Sequence, residues 1–356
     1  MFKSKYLKAI GALTALTLVL AGCGNTAKNE TTKQSQQSPS QTKVEQKTSY
    51  YYTANEGGSI SKIDATTNKV LETIKVDGSP HNVQISPDGK IVASTSAAMM
   101  EKGKTEHGSM SMNGSALFYD VESNKLIKSV AVGNHPAHIV FTPDSKYALV
   151  TNNEDNNVSV IDAKGYAVVG KVSTGNGPHG FRISKDSKNA YVANMGEDTV
   201  SVLDIASFKE VRKIKVGKTP VTTGVTSDGK TLAVTVNSEN ALAIIDLSTD
   251  KIEKIPVGVG PAQVYIQSDD KFAFVANQGT EDKPSNTVSK IDLTTRKVIA
   301  TIETGKGAHG IVTSADNKFV YVTNMYDNTV SVIDSTSNKV VTTVSVDKTP
   351  NGISYR

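Results

Sequence analysis

From residue 50 onward the apolar positions come in short runs rich in Val, Ile, Tyr and Thr, each closed by Asn, Asp, Ser, Gly or Lys. Runs of this length and β-branched content, with turn residues at both ends, specify strands and show no helical period. Residues 319–356 hold the cleanest unit (FVYVTNMYDNTVSVIDSTSNKVVTTVSVDKTPNGISYR): runs at 321–324, 330–333 and 340–346, then a Pro-Asn-Gly entry into a fourth. Four strands joined by tight turns make one antiparallel sheet. The Asp that closes the Val-Ser-Val-Ile run recurs at Asp64, Asp120, Asp162, Asp204, Asp246, Asp292 and Asp334, a period of 42 residues with inserts of 14 in the second unit and 4 in the sixth. That period predicts an all-β fold, a seven-bladed β-propeller of four-stranded antiparallel blades. The marker Asp residues precede Ser, Thr, Asn and Lys, which is turn chemistry rather than catalysis.

Strand A, the innermost, is taken as the run after Pro. Strand B is the Tyr-Val-Thr-Asn run, C the Val-Ser-Val-Ile-Asp run, and D the run before each Gly-x-x-Pro turn. Antiparallel order then puts the D-to-A and B-to-C loops on one face and the Asp-rich turns on the other. The chain begins in a strand B at residues 50–54 and ends in a strand A at 351–355, so the last strand is expected to complete the first blade and close a ring over residues 50–356. The quartets Tyr321-Val322-Thr323-Asn324, Tyr191-Val192-Ala193-Asn194, Leu149-Val150-Thr151-Asn152 and Phe274-Val275-Ala276-Asn277 resemble the YVTN family of β-propeller repeats. The resemblance covers nearly all of residues 50–356 and weakens at 91–96, where the Asn is lost. It implies a seven-bladed ring of the kind found in bacterial and archaeal surface proteins and periplasmic factors, and no single activity.

The preceding residues have a different character. Lys3, Lys5 and Lys8 precede an apolar stretch at 9–20, too short to span a bilayer comfortably, and Leu20-Ala21-Gly22-Cys23 follows. This resembles the lipobox of bacterial lipoproteins, which implies a signal peptide over residues 1–22, cleavage after Gly22 and a diacylglycerol thioether on Cys23. Cys23 is the only Cys, so the mature fold holds no internal disulfide and no thiolate metal site. Residues 23–49 are Thr, Gln, Ser, Lys and Asn with little to bury, and read as a tether. The expected location is therefore the extracytoplasmic side of a bacterial cell membrane, held by the lipid on Cys23. The net positive charge lies in these two segments: the formal +4 falls to about −1 over the repeats, so a nucleic-acid partner is not expected.

Candidate chemistry gathers on one face. His81, His135, His138, His179 and His309 stand beside the Pro turns and His107 lies in the long insert. Met99, Met100, Met110 and Met112 are in the same insert, and Met195 and Met325 directly follow quartets. His81, His138, His179 and His309 are expected at the start of strand A, which lines the central channel. Imidazole and thioether together suit copper, with thioether favouring Cu(I). A structural reading competes: Pro-His-Gly is close to the family's own repeat, and Met is seldom used in β-branched sheets. The arrangement is positionally similar to the propeller of nitrous oxide reductase, where a ring of His holds a copper cluster. Val221, Ala262-Gln263 and Asn351 at the equivalent turns leave too few imidazoles for a cluster, and a mononuclear copper site is what the residues support.

Other motifs fail on context. Gly175-Asn-Gly-Pro-His-Gly180 and Gly305-Lys-Gly-Ala-His-Gly310 match G-x-G-x-x-G but lead into strands, without the helix N-terminus a dinucleotide needs. Acidic loop residues on the same face, among them Glu56, Glu154, Asp155, Glu197 and Asp327, offer Ca²⁺ or polar ligands, with a solvated loop as their ordinary role. The functional expectation is a membrane-tethered module that binds copper, a protein or a glycan at the channel face. The alternative is a metal-dependent enzyme or electron-transfer protein that uses the same face.

Overall fold

The computed structural model describes residues 49–97 and 113–356. Seven four-stranded antiparallel sheets follow one another along the chain. Blade 4 is typical, with A at Pro178–Ile183, B at Asn189–Asn194, C at Thr199–Asp204 and D at Lys209–Lys215. Blade 1 takes its A strand from the far end of the chain: Pro350–Tyr355 pairs with Tyr50–Asn55, placing Tyr355 opposite Tyr51. Each A strand packs on those of its two neighbours, blade 1 against both 7 and 2, so the seven inner strands form a closed ring. The seven-bladed architecture, the strand order and the ring closure follow the sequence pattern.

The repeated polar residues have local tasks. Asp64 accepts the backbone N–H of Thr66 at 2.9 Å and of Thr67 at 2.6 Å, and Asp292 and Asp334 do the same two and three residues on. The turn then needs a left-handed residue, filled by Asn68, Asn124, Tyr166, Phe208, Asp250, Arg296 and Asn338 at φ between 52° and 57°. Asn tolerates that conformation best, and its use at only three of the seven turns shows that the surrounding sheet dictates the backbone. The quartet Asn is a clamp between strands: Asn324 Nδ2 donates to Thr329 Oγ1 and Ser331 Oγ, both at 2.9 Å, and Asn194 repeats this with Thr199 and Ser201.

Apolar packing lies between blades rather than within them. Seven buried clusters fill the seven interfaces, and each draws on two adjacent sheets. The closing interface holds Tyr51 and Ile63 of blade 1 against Val312, Tyr321 and Val332 of blade 7, with Ile353 from the terminal strand. Two buried lysines add ties that the sequence pattern does not announce. Lys62 Nζ donates to the Val121 carbonyl of the next blade, and Lys290 Nζ to that of Ser335, both at 2.6 Å. Burial lowers both lysine pKa values.

Candidate metal centre at the channel mouth

In each innermost strand the ladder with strand B breaks near the start, just after a Pro in six blades, as between Pro80 and Val83, Pro136 and Ile139, and Pro178 and Phe181, and after Ala308 in blade 7. Pro has no N–H for the ladder, and a bulge at that point re-aims the next two side chains. The quartet Thr satisfies the backbone that the bulge frees. His138 N donates to Thr151 Oγ1 at 2.9 Å, and that hydroxyl donates to the His179 carbonyl of the next blade at 2.8 Å. The Pro-His turns and the quartets are thus two halves of one device that holds the histidine backbones.

Three histidines from three consecutive blades converge. His81 and His179 take the first position after Pro in blades 2 and 4. Blade 3, between them, has Ala137 there and His138 one residue further along. The small Ala137 side chain lets the outer imidazoles approach to 3.3 Å, Nε2 to Nε2. His138 completes the group, its ring centroid 6.0 Å from that of His81 and 5.0 Å from that of His179. One nitrogen from each imidazole lies within 4.8 Å of the other two.

Hydrogen bonds assign the tautomers. His81 Nδ1 lies 2.7 Å from Glu56 Oε1, and an ionised carboxylate can only accept, so Nδ1 carries the proton. Asn351 Nδ2 donates to the same oxygen at 2.9 Å. Burial opposes ionisation of Glu56, yet the hydrogen bonds from His81 and Asn351 work against it, and the carboxyl is held below its usual value. His179 Nδ1 lies 3.3 Å from the Val221 carbonyl, so it too is the protonated nitrogen. That carbonyl is available because blade 4 has Ala193 where blades 2, 3, 5 and 7 have a Thr whose hydroxyl donates to the corresponding carbonyl of the next blade. In the neutral rings the two Nε2 lone pairs therefore face each other, 3.3 Å apart. His138 is fully buried, and neither of its ring nitrogens has a partner.

Protonation is disfavoured at His179, His138 and His309. Burial, with the neighbouring His81, lowers His179 to about 3 and His309 to about 4, and burial with His179 takes His138 well below 6.5. The native imidazoles stay neutral while the unfolded chain takes up protons near 6.5, so stability must rise with pH between the folded values and that point. The metal-free protein is expected to lose on the order of 2 kcal/mol per imidazole from pH 7 to pH 5. Urea unfolding at the two pH values measures it; equal stabilities would show that the three groups are not held neutral.

Comparison with known proteins places this site within a family. The choice-of-anchor I domain family matches residues 40–260, more than half of the chain. The chain belongs to that family. Residues 280–355 match the YNCE-like beta-propeller family. No curated protein matches the sequence. Three solved structures illustrate the shared fold. Hydrazine synthase from Kuenenia stuttgartiensis is 22% identical, covering 77% of this chain and 89% of that chain, with a TM-score of 0.66. A functionally unknown protein from Desulfotomaculum acetoxidans is 16% identical, covering 86% and 98%, with a TM-score of 0.72. The dihydro-heme d1 dehydrogenase NirN in complex with DHE is 15% identical, covering 85% and 74%, with a TM-score of 0.62. Likeness at these identities speaks to the fold alone.

All three clustered histidines lie in the segment that matches the choice-of-anchor I domain family. His309 lies outside it, on blade 7. Blade 1 with Asn351 stands between His309 and His81, and His309 Nδ1 is 3.5 Å from Gln263 Nε2 instead. The expected set of four is thus a group of three with His309 apart. Met195 is exposed, and Met325 Sδ accepts a hydrogen bond from Gln278 Nε2 at 3.2 Å. His135 is exposed beside Glu154. Cys23, Met99, Met100, His107, Met110 and Met112 fall outside the described residues. The acidic loops mostly cap turns: Asp155 accepts from Asn134 N at 3.0 Å and Asp327 from Lys306 N at 2.7 Å. Glu56 and Glu154 face imidazoles instead, and of the two only Glu56 meets a histidine of the cluster. The Gly57-Gly58 pair behind Glu56, where a Cβ on Gly57 would lie 2.7 Å from Lys348, is the one local signal that this loop is tightly packed.

Proposed function

We propose that this propeller is a membrane-tethered binding protein that holds one transition-metal ion, copper in the first instance, between His81, His138 and His179. The carrying observation is the 3.3 Å separation of two Nε2 atoms beside a buried imidazole with no partner. Two nitrogens bound to one tetrahedral ion at about 2.0–2.1 Å each stand roughly 3.3–3.4 Å apart, which is the spacing found. Glu56 behind His81 is the carboxylate that commonly orients a metal-bound imidazole and supports its basicity. All-imidazole donation suits copper and zinc, and copper stands higher in the affinity order. The lipobox-like Leu20-Ala21-Gly22-Cys23, the polar residues 23–49 and the YVTN-like quartets support a lipid-anchored, extracytoplasmic setting in which the site stores, delivers or senses the ion. A second reading, a metal-dependent enzyme, is favoured by one feature: three protein ligands leave a fourth position open.

The test is metal content by mass spectrometry on the soluble protein from Lys28 onward, purified without chelator and then titrated with Cu(I), Cu(II) and Zn(II). One equivalent of tightly held copper, lost in His179→Ala and reduced in Glu56→Gln, is expected. If wild type and His179→Ala bind equally, or neither binds, the site reading fails, and the channel face becomes a surface for a protein or glycan.

A further inference from the structure

The seven innermost strands carry a single residue among all their Asp, Glu, Lys and Arg positions: Arg182. It stands three residues beyond His179 on the same strand, half-buried. A guanidinium has five N–H donors. One is used within its own strand, Nη1 donating to the Phe181 carbonyl at 2.9 Å, and the group lies 5.8 Å from the centroid of the Tyr265 ring two blades away. Among the described residues no carboxylate pairs with it, and the surroundings disfavour its charge through desolvation. Blade 5, between Arg182 and Tyr265, contributes Gly224, which brings no side chain to the space beside them. The result is a cavity of about 130 Å³ lined by Arg182, Gly224, Val225, Val264, Tyr265 and Ile266.

A cation retained in an apolar recess without a counter-charge is costly to folding, and Met at this position would fill similar space without that cost. Cations with so little exposure are ordinarily paired with a carboxylate, and among the described residues there is none, while a cavity lies beside the group. A guanidinium fork matches two oxygens of one oxyanion, forming two parallel charge-assisted hydrogen bonds. The volume is below the range of pockets for nucleotide- or drug-sized ligands, which begins at roughly 300 Å³. We propose that Arg182 binds a small oxyanion, of the phosphate, sulfate or carboxylate class, inside the axial channel against the Tyr265 wall. The ion supplies the missing negative charge, and its remaining oxygens face channel water. This site is separate from the three-histidine group and does not depend on a metal there.

Isothermal titration of the chelator-treated, metal-free protein with inorganic phosphate, sulfate and acetate, in chloride at constant ionic strength, tests it. One saturable site is expected for at least one of the three, and the preferred ion identifies the source. Arg182→Met should weaken binding by roughly tenfold or more. Arg182→Lys, which keeps the charge and loses the fork, should weaken it several-fold and serves if the Met variant fails to fold. Lys185→Gln, which removes an exposed charge at the same end of the strand, should leave it unchanged. The proposal is overturned by an absence of saturable binding up to roughly 20 mM. Affinity unchanged in Arg182→Met, or an equal loss in Lys185→Gln, overturns it as well.

Discussion

Removing residues 351–356 is expected to abolish cooperative unfolding of the whole ring. Those residues supply most of the strand that pairs with Tyr50–Asn55, so blade 1 would lose its innermost member and blade 7 its neighbour. Ile353 leaves the cluster around Tyr321, and the Tyr355 ring, stacked on Tyr321 at 5.4 Å, goes with it. Burying each such side chain contributes on the order of 2 kcal/mol. The ladder, the second tyrosine exposed and the orphaned backbone of Tyr51 to Thr53 add to this. The sum is comparable with the whole stability of a domain, about 5–15 kcal/mol. A circular permutant separates loss of closure from loss of sequence. Tyr50 and Arg356 already exchange backbone hydrogen bonds at 2.6 and 2.7 Å, so residues 350–356 placed ahead of Ser49 through a short turn should restore the transition. A truncation that melts like the full chain would show that the ring does not depend on this strand.

The blades were legible because their signals are local and repeated. An Asp-Ser-Thr-Asn turn specifies itself within five residues, and the Pro-to-Asp spacing specifies which runs are neighbours. Ring closure could be read for the same reason: the chain starts one strand out of phase with its repeat. The site was legible only as a set of residues on a face. That His81 and His179 meet across Ala137 depends on two positions in alternate blades and a small residue in the blade between, a relation no window of sequence contains. His138 is one position out of phase with the other two, so the repeat alignment points away from it as a ligand. His309 looks equivalent in sequence and is separated in space by the terminal strand, which brings Asn351. Glu56 resembled any acidic loop residue, and Arg182 any charge on a strand of alternating pattern, until the burial of their surroundings was known.

Replacing His138 by Leu should change stability in opposite directions with and without metal. The side chain is fully buried and both of its ring nitrogens lack partners. A buried polar group left unsatisfied costs about 1–3 kcal/mol, and Leu is close to His in volume, so the metal-free variant should be more stable than the wild type by about that amount. With copper in excess the order should invert. An ion bound to the native state adds RT ln(1 + [L]/Kd), about 4 kcal/mol at a thousandfold excess over Kd, and the variant, with one of three ligands gone, should receive little of it. Chemical denaturation of both proteins, with chelator and with copper, gives all four values. A variant less stable than the wild type under both conditions would mark His138 as a satisfied core residue, and equal stabilisation by copper would remove it from the ligand set. The crossing of the two orders is what a residue kept for binding at the expense of folding must produce. It also distinguishes that role from a histidine inherited with the repeat, since a repeat histidine has no reason to be costly only when the ion is missing.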